Sequence, residues 1–191
     1  MTGFTSTLFY IIRLLGEIYI SIILLRFLLQ MVRADFYNPI SQFIVKVTHP
    51  LSKPLRQIIP SLGRQDIASL VLAYLVQIVV TSALLLIIGI PFDLFIAKVP
   101  IIALIKLLET GFYLLFLLFI FNAILSWIAP DSRSPAAILI QQICYFILAP
   151  LRRTIPPIGI FDITPMIALL LLYFLNNFII RVLASYLVPG L

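Results

Sequence analysis

Two arginine–aspartate pairs are the residues whose types and spacing could perform chemistry. Arg56 precedes Asp66 by ten positions, and Arg152 precedes Asp162 by the same distance. The pairs lie in two similar segments, PLRQIIPSLGRQDI and PLRRTIPPIGIFDI. Each arginine could brace its own aspartate across a turn of the chain, or it could bind a lipid phosphate or a carboxylate of a partner. We favour the brace and keep the second interpretation open.

A second set of polar residues lies inside long apolar runs, where ionisable groups are costly. Arg13 and Glu17 are four positions apart, which places them on one helical face and predicts an internal ion pair. Counted inward from the same membrane surface, Glu17 and Arg181 reach similar depths, so we expect them to join the first run to the last. Gln77 and Asn177 belong to similar polar stripes. Such stripes indicate interhelical hydrogen bonds or, alternatively, a polar path.

Arg26 and Arg33 lie near the end of the first apolar run, on another face. Long basic side chains in this position extend to the lipid headgroups. We therefore expect Arg26 to reach the membrane surface.

Motifs of enzymes and metal sites are missing from the sequence. A single cysteine and a single histidine exclude an internal disulfide and a Cys/His metal cluster. No nucleotide-binding, zinc-protease or serine-hydrolase motif occurs. We predict a protein that is not an enzyme and that needs no cofactor or metal.

Composition identifies the solvent of this chain as lipid. Apolar residues make up 63% of the 191 and charged residues 10%, against roughly 25% charged in soluble domains. The mean hydropathy is +1.20, which predicts an integral membrane protein. The net charge of +6 therefore reports topology or anionic lipid rather than nucleic-acid binding.

Four apolar runs are long enough to cross a bilayer, which takes about 20 residues. The N-terminal segment MTGFTSTLFY lacks a basic segment and a cleavage site, so the first run is predicted to be a retained span. The predicted spans are residues 8–32, 67–90, 101–128 and 165–188.

The long connections at 33–66 and 129–164 are each predicted to contain a surface helix, at 39–49 and 135–148. Asn38 is a natural N-cap, and the proline that follows it suits the first helical position. Pro54 is expected to lie beyond the first surface helix, because proline interrupts helices. These helices could lie in the interface, re-enter the bilayer or pack over the bundle. The predicted apolar faces are Ile40, Phe43, Ile44 and Val47 in the first helix and Leu139, Ile140 and Ile143 in the second.

A repeat organises the whole chain. An offset of 96 residues aligns the two Pro-Leu-Arg elements and the two aspartates without a gap. This register predicts a tandem duplication of units 1–95 and 96–191, each built as span, surface helix, proline elbow and span. Two spans per unit make the units parallel in the membrane. The predicted fold class is an all-α integral membrane protein with four transmembrane helices.

The distribution of basic residues predicts the orientation. The connections at 33–66 and 129–164 together carry eight Lys and Arg residues, whereas the opposite side carries Lys98, with Lys106 near the membrane edge. The positive-inside rule therefore places both connections in the cytoplasm and both termini on the other side.

The segments LLRFLLQMVRADFYNPI, THPLSKPLRQIIP and APLRRTIPPIGIFDITP resemble the YggT family of small membrane proteins. The resemblance covers nearly the whole chain as two tandem units. The second unit departs from the pattern at Ser134, where the family favours asparagine, and the first at Ser69, where proline is common. The resemblance implies a multi-pass protein of the bacterial inner membrane, with family links to osmotic tolerance, cell division or nucleoid distribution, and cytochrome assembly in plastids. It supplies no catalytic residue.

Two functions from different classes follow. The first is a non-enzymatic organising or assembly factor that acts through its cytoplasmic surface helices and basic elbows. The alternative is an ion or osmolyte channel or transport component linked to osmotic tolerance. The expected partners are the lipid bilayer, anionic headgroups, an unidentified membrane protein and a second copy of the chain, with no direct binding of nucleic acid.

Overall fold

The structure is a computed structural model, and the all-helical class predicted from the sequence is confirmed. It describes residues 3–60, 63, 65–91, 98–129, 131–154 and 164–187. The elements of these residues are six α-helices: α1 (Gly3–Met31), α2 (Pro39–Ile58), α3 (Ile67–Ile87), α4 (Val99–Ile128), α5 (Pro135–Thr154) and α6 (Thr164–Leu187).

Within the described ranges, four helices are long and apolar enough to cross a membrane: α1, α3, most of α4, and α5. The helix α6 (Thr164–Leu187) covers most of the span predicted at 165–188. The candidate spans also include α5, which was predicted as a surface helix. The reason is that α5 continues to Thr154 and is longer than the surface helix expected at 135–148. Its most apolar window has a mean hydropathy of 1.3, against 2.1 to 2.5 in the other three.

All six helices contribute to the core, within which α1 packs closely against α3. Gly16 of α1 lies so close to α3 that a Cβ atom there would be 2.8 Å from both γ-carbons of Val80. Ile20 and Ile23, further along α1, are completely buried. Small residues allow such close approach of two helices in a membrane, where van der Waals packing drives association.

The first surface helix begins as predicted but ends later. The Asn38 side chain accepts a hydrogen bond from the Ile40 amide at 2.9 Å and caps α2. The helix then continues through Pro50 and Pro54 to Ile58, so the prediction that Pro54 lies beyond it is wrong. Both prolines face outward. Because proline has no amide hydrogen, each leaves one backbone carbonyl on the exposed side of the helix without its helical hydrogen bond. Water or headgroups can hydrogen-bond those carbonyls there.

The side of α2 that packs against the protein also differs from the predicted apolar face. The buried residues are Ser41, Ile44, Thr48 and Ser52. Phe43 is 58% exposed. A row of small side chains lets α2 lie close to α1 and α3, which leaves the apolar stripe free to face lipid.

The second half repeats the helix contacts of the first, in which α3 packs on α1 and α2. α6 contacts α4 and α5 and, in the described part of the chain, does not contact α1. α5 buries Leu139 and Ile143 of its predicted apolar face. It meets α2 where the Asn38 amide nitrogen donates a hydrogen bond of 2.9 Å to the Pro135 carbonyl. The two halves thus meet at the first turns of α2 and α5, and they also meet where α4 packs against α3 and α1.

Candidate functional site

Asp66 is the centre of the most polar buried region that the structure describes. It precedes the first residue of α3 and caps that helix, accepting hydrogen bonds from the Ser69 amide at 3.3 Å and the Ser69 hydroxyl at 2.6 Å. The side chain is almost fully buried. A buried carboxylate needs both hydrogen-bond donors and a counter-charge.

Two arginines supply that counter-charge. The Arg56 guanidinium, from the last turn of α2, donates to Asp66 Oδ2 and, at 2.8 Å, to the side-chain oxygen of Gln30. Arg26 of α1 approaches the same carboxylate, with Nε 3.7 Å from Oδ2. Its Nη1 donates to the Thr48 hydroxyl at 2.6 Å. Asp66 thereby connects α1, α2 and α3.

The protonation of Asp66 reflects two opposing effects. Burial raises the pKa of the carboxyl, whereas the hydrogen bonds from Arg56 and Ser69 lower it, and the net pKa lies below its usual value. The carboxylate is therefore ionised at neutral pH and remains a permanent counter-ion for the arginines.

Arg26 was expected at the membrane surface, and this prediction is wrong. Its side chain is 4% exposed, because α2 lies over it and Thr48 binds it. Sequence reasoning missed Arg26, Thr48 and Ser69 as members of this cluster. A usable signal was present in the repeat, since the position 96 residues after Arg26 is Asn122, another polar residue in an apolar run, and it too is buried.

The second predicted pair has a different setting. Asp162, the partner predicted for Arg152, lies outside the described residues. Arg152 belongs to the last turn of α5, and its guanidinium is 5.2 Å from the centre of the Tyr145 ring, a cation–π distance.

A cavity of about 370 Å³ adjoins the Asp66 cluster, between the end of α1 and the first half of α2. Three arginines line it, and none of the lining residues is acidic. The residues that line it are Arg26, Leu29, Gln30, Arg33, Ala34, Phe36, Ser41, Ile44, Val45 and Arg56.

The intramembrane polar residues form a separate region. Arg13 Nε donates to Glu17 at 2.8 Å. Lys106 binds Glu109 at the same distance, an ion pair that sequence reasoning missed although its i, i+3 spacing is typical of helical pairs. These four residues and Gln77 line two adjoining cavities of about 440 and 590 Å³.

The last two predicted residues lie apart from that region. Asn177 donates to the Tyr173 carbonyl of its own helix at 2.9 Å, and Arg181 is exposed. The expected contact of Glu17 with Arg181 is wrong, because α6 packs on α4 and α5 instead of α1. The Glu17 carboxylate binds Arg13 on its own helix.

Comparisons with known proteins agree over nearly the whole chain. The model of the CCB3/YggT family matches twice, at residues 5–89 and 101–183. An uncharacterized protein of Pseudomonas aeruginosa is 44% identical over 97% of this chain and 94% of its own length. The uncharacterized protein YggT of Escherichia coli K12 is 38% identical over 97% of each chain. A protein encoded in the proC 3' region of Vibrio alginolyticus is 39% identical over 90% of this chain and 92% of its own. No solved structure matches.

Proposed function

This chain belongs to the CCB3/YggT family, and we propose that it is a non-enzymatic organising or assembly factor of the bacterial inner membrane. It acts through the platform, which we define as the surface formed by α2, α5, Phe36 and Tyr37. The platform faces the cytoplasm and binds another membrane protein.

The proposed architecture is two parallel units. The family matches twice in tandem, and α2 and α5 begin 96 residues apart, in the register of the sequence repeat. In each unit two helices span the membrane, α1 with α3 and α4 with α6, while α2 and α5 lie in the interface. Two arginines in the last turn of α5 and its comparatively low hydropathy support the interface for that helix.

The three sides of α2 support an interfacial rather than a re-entrant position. One side packs on the protein through small residues. A second carries exposed apolar residues, including Phe43 and Leu51, and a third carries exposed polar residues, including Lys46, His49 and Lys53. A helix with protein, lipid and water on three sides lies parallel to the membrane plane.

The observation that carries the proposed function is the hydrogen bond from Asn38 to the Pro135 carbonyl. It joins α2 to α5 and makes one continuous surface from both units. Phe36 and Tyr37 are exposed beside this joint, at 62% and 84%, and exposed aromatic residues with flanking basic groups are typical of contact surfaces.

Photo-cross-linking in living cells tests this proposal. A photoreactive amino acid replaces Tyr37 on the platform or, as a control, Leu170, a 72% exposed residue of α6. We expect adducts with a specific protein from position 37 only. Charge reversal of the exposed Lys53 and Arg153 should remove the adducts while membrane insertion persists. Equal adduct patterns from both positions, or adducts that survive the reversal, would contradict the proposal.

A second candidate, transport of ions or osmolytes, has one observation in its favour. Positively and negatively charged side chains line the two adjoining cavities: Arg13, Glu17, Lys106 and Glu109. Gln77, which also lines them, has a buried side-chain oxygen that makes no hydrogen bond among the described residues. Such a lining suits a small zwitterion or ion. Purified protein in liposomes would then show a flux that Glu17→Gln alters, and no flux above that of empty vesicles would exclude this function.

A further inference from the structure

The cavity beside Asp66 is cationic. Arg26, Arg33 and Arg56 line it, and Asp66 is the carboxylate that binds two of these arginines. Three guanidinium groups against one carboxylate leave two positive charges at this cavity. Arg26 is buried, whereas Arg33 and Arg56 are exposed. Burying the Arg26 charge is costly unless a counter-charge accompanies it.

Two buried donors in this region make no hydrogen bond to a described residue, although one of them, Arg26 Nε, lies 3.7 Å from Asp66 Oδ2. Arg26 Nε and the Ser41 hydroxyl make no hydrogen bond within the described residues, although their side chains are 4% and 5% exposed. Both residues line the cavity. A buried donor without an acceptor costs about 1–3 kcal/mol, so an acceptor group in the cavity would stabilise this arrangement.

Arg33 has a left-handed backbone conformation, which favours glycine. Its φ is 54°, and α1 ends there with the two hydrogen bonds of a Schellman motif, from Arg33 to the Gln30 carbonyl at 3.1 Å and from Ala34 to the Leu29 carbonyl at 2.9 Å. A side chain in this conformation costs about 1 kcal/mol relative to glycine. An arginine that lines the cavity from a strained position indicates a role for its side chain.

The second half of the chain lacks most of these groups. At the positions 96 residues later, Arg26, Arg33 and Ser41 are replaced by asparagine, alanine and alanine, whereas the counterpart of Arg56 is still an arginine. The repeated helix arrangement therefore forms without the charges. Their presence in the first half alone favours a ligand over a structural requirement.

We propose that the cavity between α1 and α2 is a binding site for a phosphate-type oxyanion. Arg26, Arg33 and Arg56 provide the cationic groups, and Ser41 donates a hydrogen bond. Guanidinium groups bind phosphate oxygens in pairs of parallel hydrogen bonds, and a volume of about 370 Å³ is within the range of ligand pockets. The phosphate belongs either to an anionic phospholipid headgroup or to free phosphate. The site does not depend on the proposed organising role.

Two measurements on the purified full-length protein test this site and separate the two sources. Native mass spectrometry in detergent compares the binding of phosphatidylglycerol with that of phosphatidylcholine. Thermal unfolding compares inorganic phosphate with chloride at equal ionic strength, because a bound ligand raises Tm. Preferential binding of phosphatidylglycerol identifies the headgroup, and a Tm increase in phosphate alone identifies the free anion.

The variants Arg33→Gly and Ser41→Ala should each weaken the observed binding about tenfold, the loss expected for one hydrogen bond to a charged group. Arg33→Gly should remain folded, because glycine suits its backbone, so loss of binding cannot be attributed to unfolding. Arg152→Gln, at the counterpart of Arg56 in the second half, is the control and should bind as the unaltered protein does. Absence of binding to both probes, or unchanged binding by Arg33→Gly and Ser41→Ala, would overturn the proposal.

Discussion

At the scale of single residues, Asp66 performs two tasks that usually fall to different side chains. It caps α3 through Ser69 and forms ion pairs with Arg26 of α1 and Arg56 of α2. One carboxylate thus fixes the relative positions of three helices. Loss of its charge should affect all three contacts together.

We expect Asp66→Asn to lower the free energy of unfolding by about 3 kcal/mol, because breaking a buried ion pair leaves an uncompensated charge. Asparagine can still cap the helix, so the variant isolates the effect of the charge. Unfolding in mixed detergent micelles measures the loss.

A second substitution provides the control for Asp66→Asn. Adding Arg26→Asn removes the buried cation and introduces the residue found at the equivalent position of the second half. The double variant should recover part of the stability. If it is as unstable as the sum of the two single variants, the charges are not coupled.

The lowered pKa of Asp66 predicts a pH dependence. Its contribution to stability is complete above the pKa of an unfolded aspartate, about 3.9, and is lost as the pH falls through the lower pKa of the folded protein. The Tm of the unaltered protein should therefore fall more between about pH 5 and pH 2 than the Tm of Asp66→Asn. Parallel curves for the two proteins would show that Asp66 does not titrate in this way.

The sequence allowed part of this cluster to be predicted. Asp66 was recognisable as a helix cap with Arg56 at a repeated spacing. Arg26 was not, because its burial depends on α2 lying over α1, which neither residue type nor spacing specifies. Thr48 and Ser69 looked like ordinary small polar residues until the packing placed them against charges.

At the scale of the helices, α2 shows which rules of sequence reading hold in a membrane. Asn38 predicted its first turn correctly, since capping is local. Pro54 did not predict its end, since the cost of an interior proline is reduced where the freed carbonyl is exposed. The helix ends instead at Ile58, two residues before Pro60.

The close packing of α1 on α3 gives a prediction at the same scale. Gly16→Ala should lower the free energy of unfolding by about 1–3 kcal/mol, because the added methyl group would be 2.8 Å from the stiff Val80 side chain. Val80→Ala should restore part of the loss. Unfolding in mixed micelles measures both.

Gly111→Ala provides the matched control for Gly16→Ala. A Cβ atom at Gly111 would be 4.0 Å from the nearest carbon of Leu24, an ordinary contact. This variant should be neutral or slightly stabilising, because alanine favours helix over glycine. Equal losses from the two glycine substitutions would show that close packing is not the cause.

At the scale of the whole molecule, the proposed orientation makes a prediction about accessibility. A cysteine that replaces Lys53 or Arg153 should react with a membrane-impermeant maleimide only after the inner membrane is opened. A cysteine that replaces Lys98 should react while the membrane is still intact. The native Cys144 is fully buried, so its background labelling should be low. If the cysteines at positions 53 and 153 react in intact spheroplasts, the orientation is the opposite of the one proposed.

The helical class, the family and the six helices of the described residues were accessible from the sequence, because they depend on hydropathy and on a repeat without gaps. Which helices pack against one another could not be predicted from the sequence. Glu17 and Arg181 matched in depth, but depth does not specify which helices are neighbours, and α4 and α5 are the helices on which α6 packs.

The position of the Asp66 cluster along the chain has a consequence for biosynthesis. Every group in it, from Arg26 to Ser69, belongs to the first three helices. The ribosome therefore delivers the buried Arg26 together with its counter-ion Asp66 before α4 is made, and domains generally fold in this N-terminal to C-terminal order. The first half can enter the lipid with its buried arginine already paired, and the second half can then pack against it.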